Sequence, residues 1–127
     1  MTTLTAEDAV EARRTLLQSE VDRFVSELSH DRETVGIVLF GSMAGGALRD
    51  YSDIDLVVVK DTRAPFLERL RSVRRQLKPK VATDFLVYTR EEMQRLWSSR
   101  PFVREEIMKR GKVLYERERG ALAQLCT

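Results

Sequence analysis

Phe40-Gly41-Ser42-Met43-Ala44-Gly45-Gly46-Ala47-Leu48-Arg49-Asp50-Tyr51-Ser52-Asp53-Ile54-Asp55-Leu56 is the stretch that decides how this chain reads. It is entered from Val35-Gly36-Ile37-Val38-Leu39-Phe40 and left through Ile54 to Val59. Both flanks are apolar and rich in β-branched residues, the mark of buried strands. A strand therefore runs into Gly-Ser, a glycine-containing connection follows, and two aspartates separated by one residue open the next strand. Side chains alternate along a strand, so Asp53 and Asp55 are expected on one side, with Ile54 and Leu56 on the other. Two carboxylates on one face repel each other unless a cation lies between them. The simplest such cation is a hard divalent ion such as Mg²⁺, which takes oxygen ligands and usually brings phosphates with it. Gly41 lets the backbone approach a phosphate closely, and Ser42 adds a hydroxyl and an N–H to a turn able to hold an anion.

Working outward, a third acid stands in Thr83-Asp84-Phe85, inside the mostly apolar segment Val81 to Tyr88. An aspartate in such a strand is unfavourable without a partner. If this strand pairs beside Ile54 to Val59, Asp84 joins Asp53 and Asp55. Three carboxylates around two metal ions make a site for in-line phosphoryl or nucleotidyl displacement. Taken singly, Asp-x-Asp reads as a solvated turn and Gly-Ser as nothing in particular; the combination with strands on both sides carries the site. No Gly-x-x-x-x-Gly-Lys-Ser/Thr run is present, and Gly41, Gly45 and Gly46 do not fit the dinucleotide fingerprint. One cysteine and one histidine do not make a typical structural zinc site.

Thr5-Ala6-Glu7-Asp8 has the form of a capping box, and Val10, Leu17, Val21, Phe24, Val25 and Leu28 recur at helical spacing over about 6 to 28. His30 at its end reads as a helix-terminal residue. Helical spacing returns at Phe66, Leu70, Val73 and Leu77, and Pro79 stops it. Arg69, Arg71, Arg74, Arg75, Lys78 and Lys80 read as a solvated face of that helix and its exit. Thr89-Arg90-Glu91-Glu92 is a second capping box, Pro101 fits the first turn of a further helix ending near Gly111, and Val113-Leu114-Tyr115 fits a short edge strand. The tail from Glu116 to Gln124 reads as a polar helix. The order helix, strand, strand, helix, strand, helices lacks the strict alternation of a doubly wound sheet. An α+β fold is expected, a small mixed sheet flanked by helices, with residues 1–127 forming a single domain.

The chain has 127 residues, 43% hydrophobic and 33% charged, which suits one domain with a real core. Its 22 Lys and Arg stand against 20 Asp and Glu, and a net charge of +2 is too small to point to nucleic acid. Cys126 is the single cysteine, so no intrachain disulfide forms, in keeping with a reducing cytoplasm. Met1-Thr2-Thr3-Leu4 carries no secretory signal pattern, and runs such as Ile37 to Phe40 are far too short to span a bilayer. A soluble cytoplasmic protein is the expectation.

Phe40-Gly41-Ser42 and Ser52-Asp53-Ile54-Asp55-Leu56, with a third acid on a later strand, resemble the nucleotidyltransferase superfamily that includes DNA polymerase β. The length and the ending Gly111-Lys112-Val113-Leu114-Tyr115 are similar to its minimal bacterial and archaeal members. The resemblance implies that Asp53 and Asp55 hold two Mg²⁺ ions and that Asp84 completes the catalytic metal site and helps activate the attacking hydroxyl. Gly41 and Ser42, with Arg49 and Ser52, would bind the nucleotide, ATP or another nucleoside triphosphate. A nucleoside monophosphate, AMP on this reading, would pass to a hydroxyl with release of pyrophosphate. Many minimal members act as antitoxins of a neighbouring HEPN-type RNase toxin, some by adding AMP to it, which implies a HEPN-type protein partner. Those members often carry arginines just after Gly-Ser, where this chain has Met43 and Gly45; Arg49 matches a recurring arginine. Two other readings stand beside this one. The first is a catalytically weak module that regulates a partner by contact, and the second is the catalytic chain of an enzyme modifying a small molecule such as an aminoglycoside. Exposed faces of the C-terminal helices leave a homo-oligomer open.

Overall fold

The computed structural model describes residues 5–127; the N-terminal tetrapeptide read above for a signal lies outside them. The elements run α1 (Ala6–Ser29), β1 (Thr34–Phe40), α2 (Ser42–Gly45), β2 (Ile54–Lys60), α3 (Phe66–Leu77), β3 (Thr83–Tyr88), α4 (Arg90–Ser99), a π-helical segment (Val103–Lys109) and β4 (Lys112–Glu116), with a closing 3₁₀ turn (Ala123–Leu125). Four strands form one sheet in the order β3-β2-β1-β4. β1 pairs antiparallel with β2 and with β4, while β2 pairs parallel with β3. The sheet is thus mixed: β1 returns antiparallel as β2 through the single turn of α2 and its loop, and β2 reaches its parallel neighbour β3 through the α3 crossover.

Helices cover both faces, which is why β1 and β2 are apolar without alternation. On one face Leu17, Val21, Phe24 and Leu28 of α1 and Val73 and Leu77 of α3 pack on Ile37, Leu39, Leu56, Val58 and Phe85. On the other, Met93 of α4 and Val103 and Ile107 of the π-helical segment pack on Phe40, Val57 and Val59. Both capping boxes form: Thr5 Oγ1 accepts from the Asp8 N–H at 3.1 Å, and Thr89 Oγ1 from that of Glu92 at 3.2 Å. The first fixes where α1 begins, and the second turns the chain sharply out of β3.

The basic stretch on α3 is not uniformly solvated. Arg69 bridges to Glu92 of α4 and donates to the Val87 carbonyl; Arg74 donates to the Thr83 carbonyl at 2.7 Å and lies over the Phe85 ring. These two arginines tie α3 to β3 and α4, while Arg71 and Arg75 face solvent. The tail departs further from expectation. After β4 it forms turns and one 3₁₀ turn rather than a polar helix, and it buries Ala121, Leu122 and Leu125. Gly36 is the physical reason: the Leu122 side chain occupies the space a Cβ there would need, so the tail folds back onto β1.

Candidate active site

The site lies at the end of the sheet where β1 leaves and β2 enters. Asp55, second residue of β2, stands opposite Phe40 of β1 and in register with Asp84 of β3. Cross-strand neighbours project to the same side. The pairing posited from sequence therefore occurs, and Asp84 arrives beside Asp55 although 28 residues separate them. Burial first, then the negative charges of Asp84 and Asp53 and a hydrogen bond with Asp84, push the Asp55 carboxyl up from 3.8 to about 6.

Gly41 meets this cluster from the other strand. Its φ of 78° and ψ of −160° belong to a backbone region essentially reserved for glycine. A Cβ at this position would collide with Asp55 Oδ2. The glycine is therefore required twice, once for the turn and once so that backbone and carboxylate can touch. Ser42 opens the single turn of α2 and is partly buried; the Gly41 carbonyl accepts the N–H groups of Ala44 and Gly45, both at 3.1 Å. As first-turn residues, Ser42 and Met43 have N–H groups without an intrahelical acceptor, donors a phosphate can use.

The loop back to β2 is pinned by Ser52 and Leu48, both buried. Ser52 Oγ accepts the Arg49 N–H at 2.8 Å, and the Ser52 N–H donates to the Arg49 carbonyl at 3.1 Å. These two bonds close the Arg49–Ser52 turn immediately before Asp53. Arg49 is exposed, leaving its guanidinium at the surface of the loop. Met43 is buried in the core, so a cation at that position has no place on this backbone, whereas Gly45 faces open space.

One residue escaped the sequence reading. Arg13, on the second turn of α1, donates through Nε to the Ser52 carbonyl at 2.8 Å and through an Nη to Asp53 Oδ1 at 3.2 Å. No local motif marks it: Arg13 sits in a run of charged helix residues and meets Asp53 from 40 positions away. Asp53, half exposed, is thus partly turned onto Arg13, and among the described residues no three His, Cys, Asp or Glu side chains form a ready metal cage. The donors present are nonetheless carboxylate oxygens only, the set a hard cation takes, and the charge crowding at Asp55 is what such a cation would relieve. Next to α2 a cavity of about 600 Å³ runs between α1 and β4 over Leu39, Met43 and Leu114. Another, of about 490 Å³, lies at the opposite end of β2 by Lys60, Arg71 and Arg75, away from the carboxylates.

A glycine-only turn between β1 and β2 and in-register aspartates on a mixed four-stranded sheet fit the nucleotidyltransferase fold. The chain belongs to the Polymerase beta nucleotidyltransferase family, whose pattern it matches over residues 23–120. Among solved structures it is similar to a Sulfolobus solfataricus protein described as a candidate nucleotidyltransferase, with 20% identity, a TM-score of 0.65, and 94% of this chain and 95% of that one covered. It is also similar to a toxin–antitoxin complex with AMP-PNP, at 15% identity and a TM-score of 0.47 over 86% of this chain and 80% of that one. A mutant of the toxin–antitoxin pair MntA–HpeT gives 16% identity and a TM-score of 0.49 over 86% and 79%. No curated protein matches the chain. Among the described residues no helix is long and apolar enough to cross a membrane.

Proposed function

We propose that this chain is a Mg²⁺-dependent nucleotidyltransferase that takes a nucleoside triphosphate, ATP in the first instance, and passes its nucleoside monophosphate to a hydroxyl. The observation that carries the reading is the in-register pair Asp55 and Asp84, with the Gly41 backbone against Asp55. Asp53, Asp55 and Asp84 would hold two Mg²⁺ ions, which supply Lewis-acid stabilisation of the phosphate charge. The Gly41-Ser42 turn binds the triphosphate through free N–H groups and the Ser42 hydroxyl, with Arg49 as a cation at the loop surface and Ser52 setting the loop's shape. Asp84, at the sheet's β3 edge, accepts the proton of the attacking hydroxyl. The acceptor oxygen forms a bond to the α-phosphorus as the bond to the bridging oxygen breaks, and pyrophosphate leaves with its electron pair.

The acceptor we propose is a hydroxyl on a HEPN-type protein partner, on the strength of the likeness of Phe40–Leu56 and Gly111–Tyr115 to minimal family members, within the cytoplasm that a lone cysteine suits. A second reading, regulation of a partner by contact alone, is favoured by one feature: Met43 and Gly45 bring no cations to the triphosphate. Calorimetric titration with a non-hydrolysable ATP analogue, with and without Mg²⁺, separates the two. Binding that requires Mg²⁺ is expected. Absence of binding to any nucleoside triphosphate would leave the contact-only reading.

A further inference from the structure

The carboxylates and the glycine turn of the site lie on or beside β1, α2, β2 and β3, yet among the described residues the one arginine that touches an aspartate of the cluster comes from α1. We propose that Arg13 is a nucleotide-binding residue, supplying from α1 the cation that Met43 and Gly45 do not supply from α2. The inference rests on the reading of the site as a triphosphate site and adds a residue that lies before the family match begins at residue 23.

Three observations carry it. First, the Arg13 guanidinium is held in place rather than waving in solvent: Nε donates to the Ser52 carbonyl at 2.8 Å, a backbone atom of the loop that leads into β2. Its side chain is only 22% exposed. Second, the same guanidinium already lies 3.2 Å from Asp53 Oδ1 through one Nη, while the other Nη has no protein partner among the described residues. A rigid fork with an edge to spare suits phosphate oxygens, which arginine binds in two-point fashion. Third, the residues that follow Gly41-Ser42 on α2 present no cation to the turn: Met43 lies in the core, and Gly45 has no side chain and opens onto empty space. The remaining arginine of the loop, Arg49, is exposed and carries no ion pair among the described residues, so Arg13 is the ordered cation of the two.

The alternative role for Arg13 is a lock that merely neutralises Asp53 in the absence of metal. The two roles differ in sign. Removing a lock frees Asp53 and strengthens metal binding with no loss of phosphate affinity. Removing a phosphate ligand weakens triphosphate binding and spares the metal.

The test uses the full chain and its Arg13→Gln and Arg13→Lys variants, with thermal unfolding of each in the absence of ligand to confirm folding. Titrations with Mn²⁺ alone, with tripolyphosphate and Mg²⁺, and with a non-hydrolysable ATP analogue and Mg²⁺ give three affinities per protein. Loss of a charge-assisted contact predicts a fall of about 10- to 100-fold for tripolyphosphate and analogue alike in Arg13→Gln, a smaller fall in Arg13→Lys, and Mn²⁺ affinity equal or higher. Equal triphosphate affinity in Arg13→Gln with tighter Mn²⁺ binding would overturn the inference in favour of the lock. If the unaltered protein binds neither tripolyphosphate nor the analogue, the triphosphate site itself fails and this assignment falls with it.

Discussion

Asp55→Asn should make the metal-free protein more stable at neutral pH while destroying its metal site. A carboxyl moved from 3.8 to about 6 carries about 3 kcal/mol, at 1.36 kcal/mol per pKa unit. Asp55 is only partly buried, so screening trims this to about 1–3 kcal/mol. The sign follows from proton linkage. The folded state binds the proton more tightly than the unfolded chain, so the charge is the unfavourable form in the fold. Below pH 3.8 both states are protonated and no cost arises. The cost grows as pH rises from 3.8 to about 6 and is fully present above that. Asparagine is never charged, and its amide can still donate to Asp84. At pH 7.5 the variant is therefore expected to melt about 4–10 °C above the unaltered protein, and at pH 4 the gap should shrink to roughly a fifth. Differential scanning calorimetry in chelator at the two pH values measures both numbers. Addition of Mg²⁺ with a triphosphate analogue should raise the melting temperature of the unaltered protein and leave Asp55→Asn unmoved. A variant no more stable than the parent at pH 7.5, or a gap that does not narrow on acidification, would refute the account of Asp55 as a crowded, cation-seeking carboxylate.

Three further outcomes follow from the geometry. Gly41→Ala forces a side chain into a backbone region of φ 78° and against Asp55, so it should cost about 1–3 kcal/mol in chemical denaturation and abolish Mg²⁺-dependent binding of the ATP analogue. Ser52→Ala leaves the part-buried Arg49 N–H without its acceptor; a loss of about 1 kcal/mol and weaker analogue binding are expected, measured by denaturation and calorimetry on the same samples. Leu122→Ala opens space over Gly36 far from the carboxylates, so it should destabilise by about 2–5 kcal/mol with analogue affinity unchanged at a temperature where the variant is folded.

The sequence alone determined whatever depends on neighbours along the chain. Two capping boxes set the starts of α1 and α4, and β-branched apolar runs marked β1 and β2. Gly41-Ser42 and Asp53-x-Asp55 announced a phosphate turn and a carboxylate pair, because each is a matter of spacing within a strand or turn. The mixed sheet was suggested by the order of elements, with no full-length helix between β1 and β2. Asp84 was legible only conditionally: the burial expected of an apolar strand flagged it, but the residue is exposed at the end of β3, and its place beside Asp55 needed the parallel register of β2 and β3. Tertiary packing decided the rest. Arg13 looks like any exposed helix arginine until α1 is laid across the sheet and its guanidinium meets Ser52 and Asp53. Arg69 and Arg74 belong to a basic stretch in sequence and become inter-element ties in space. The tail read as polar because its charges outnumber its apolar residues, yet Leu122 folds back onto Gly36, since a glycine in the middle of a sheet leaves a hollow that only a distant side chain can fill. Periodicity and capping act over a few residues and are written in order along the chain, whereas burial and ion pairing act across space, where the partner is known only once the helices have packed.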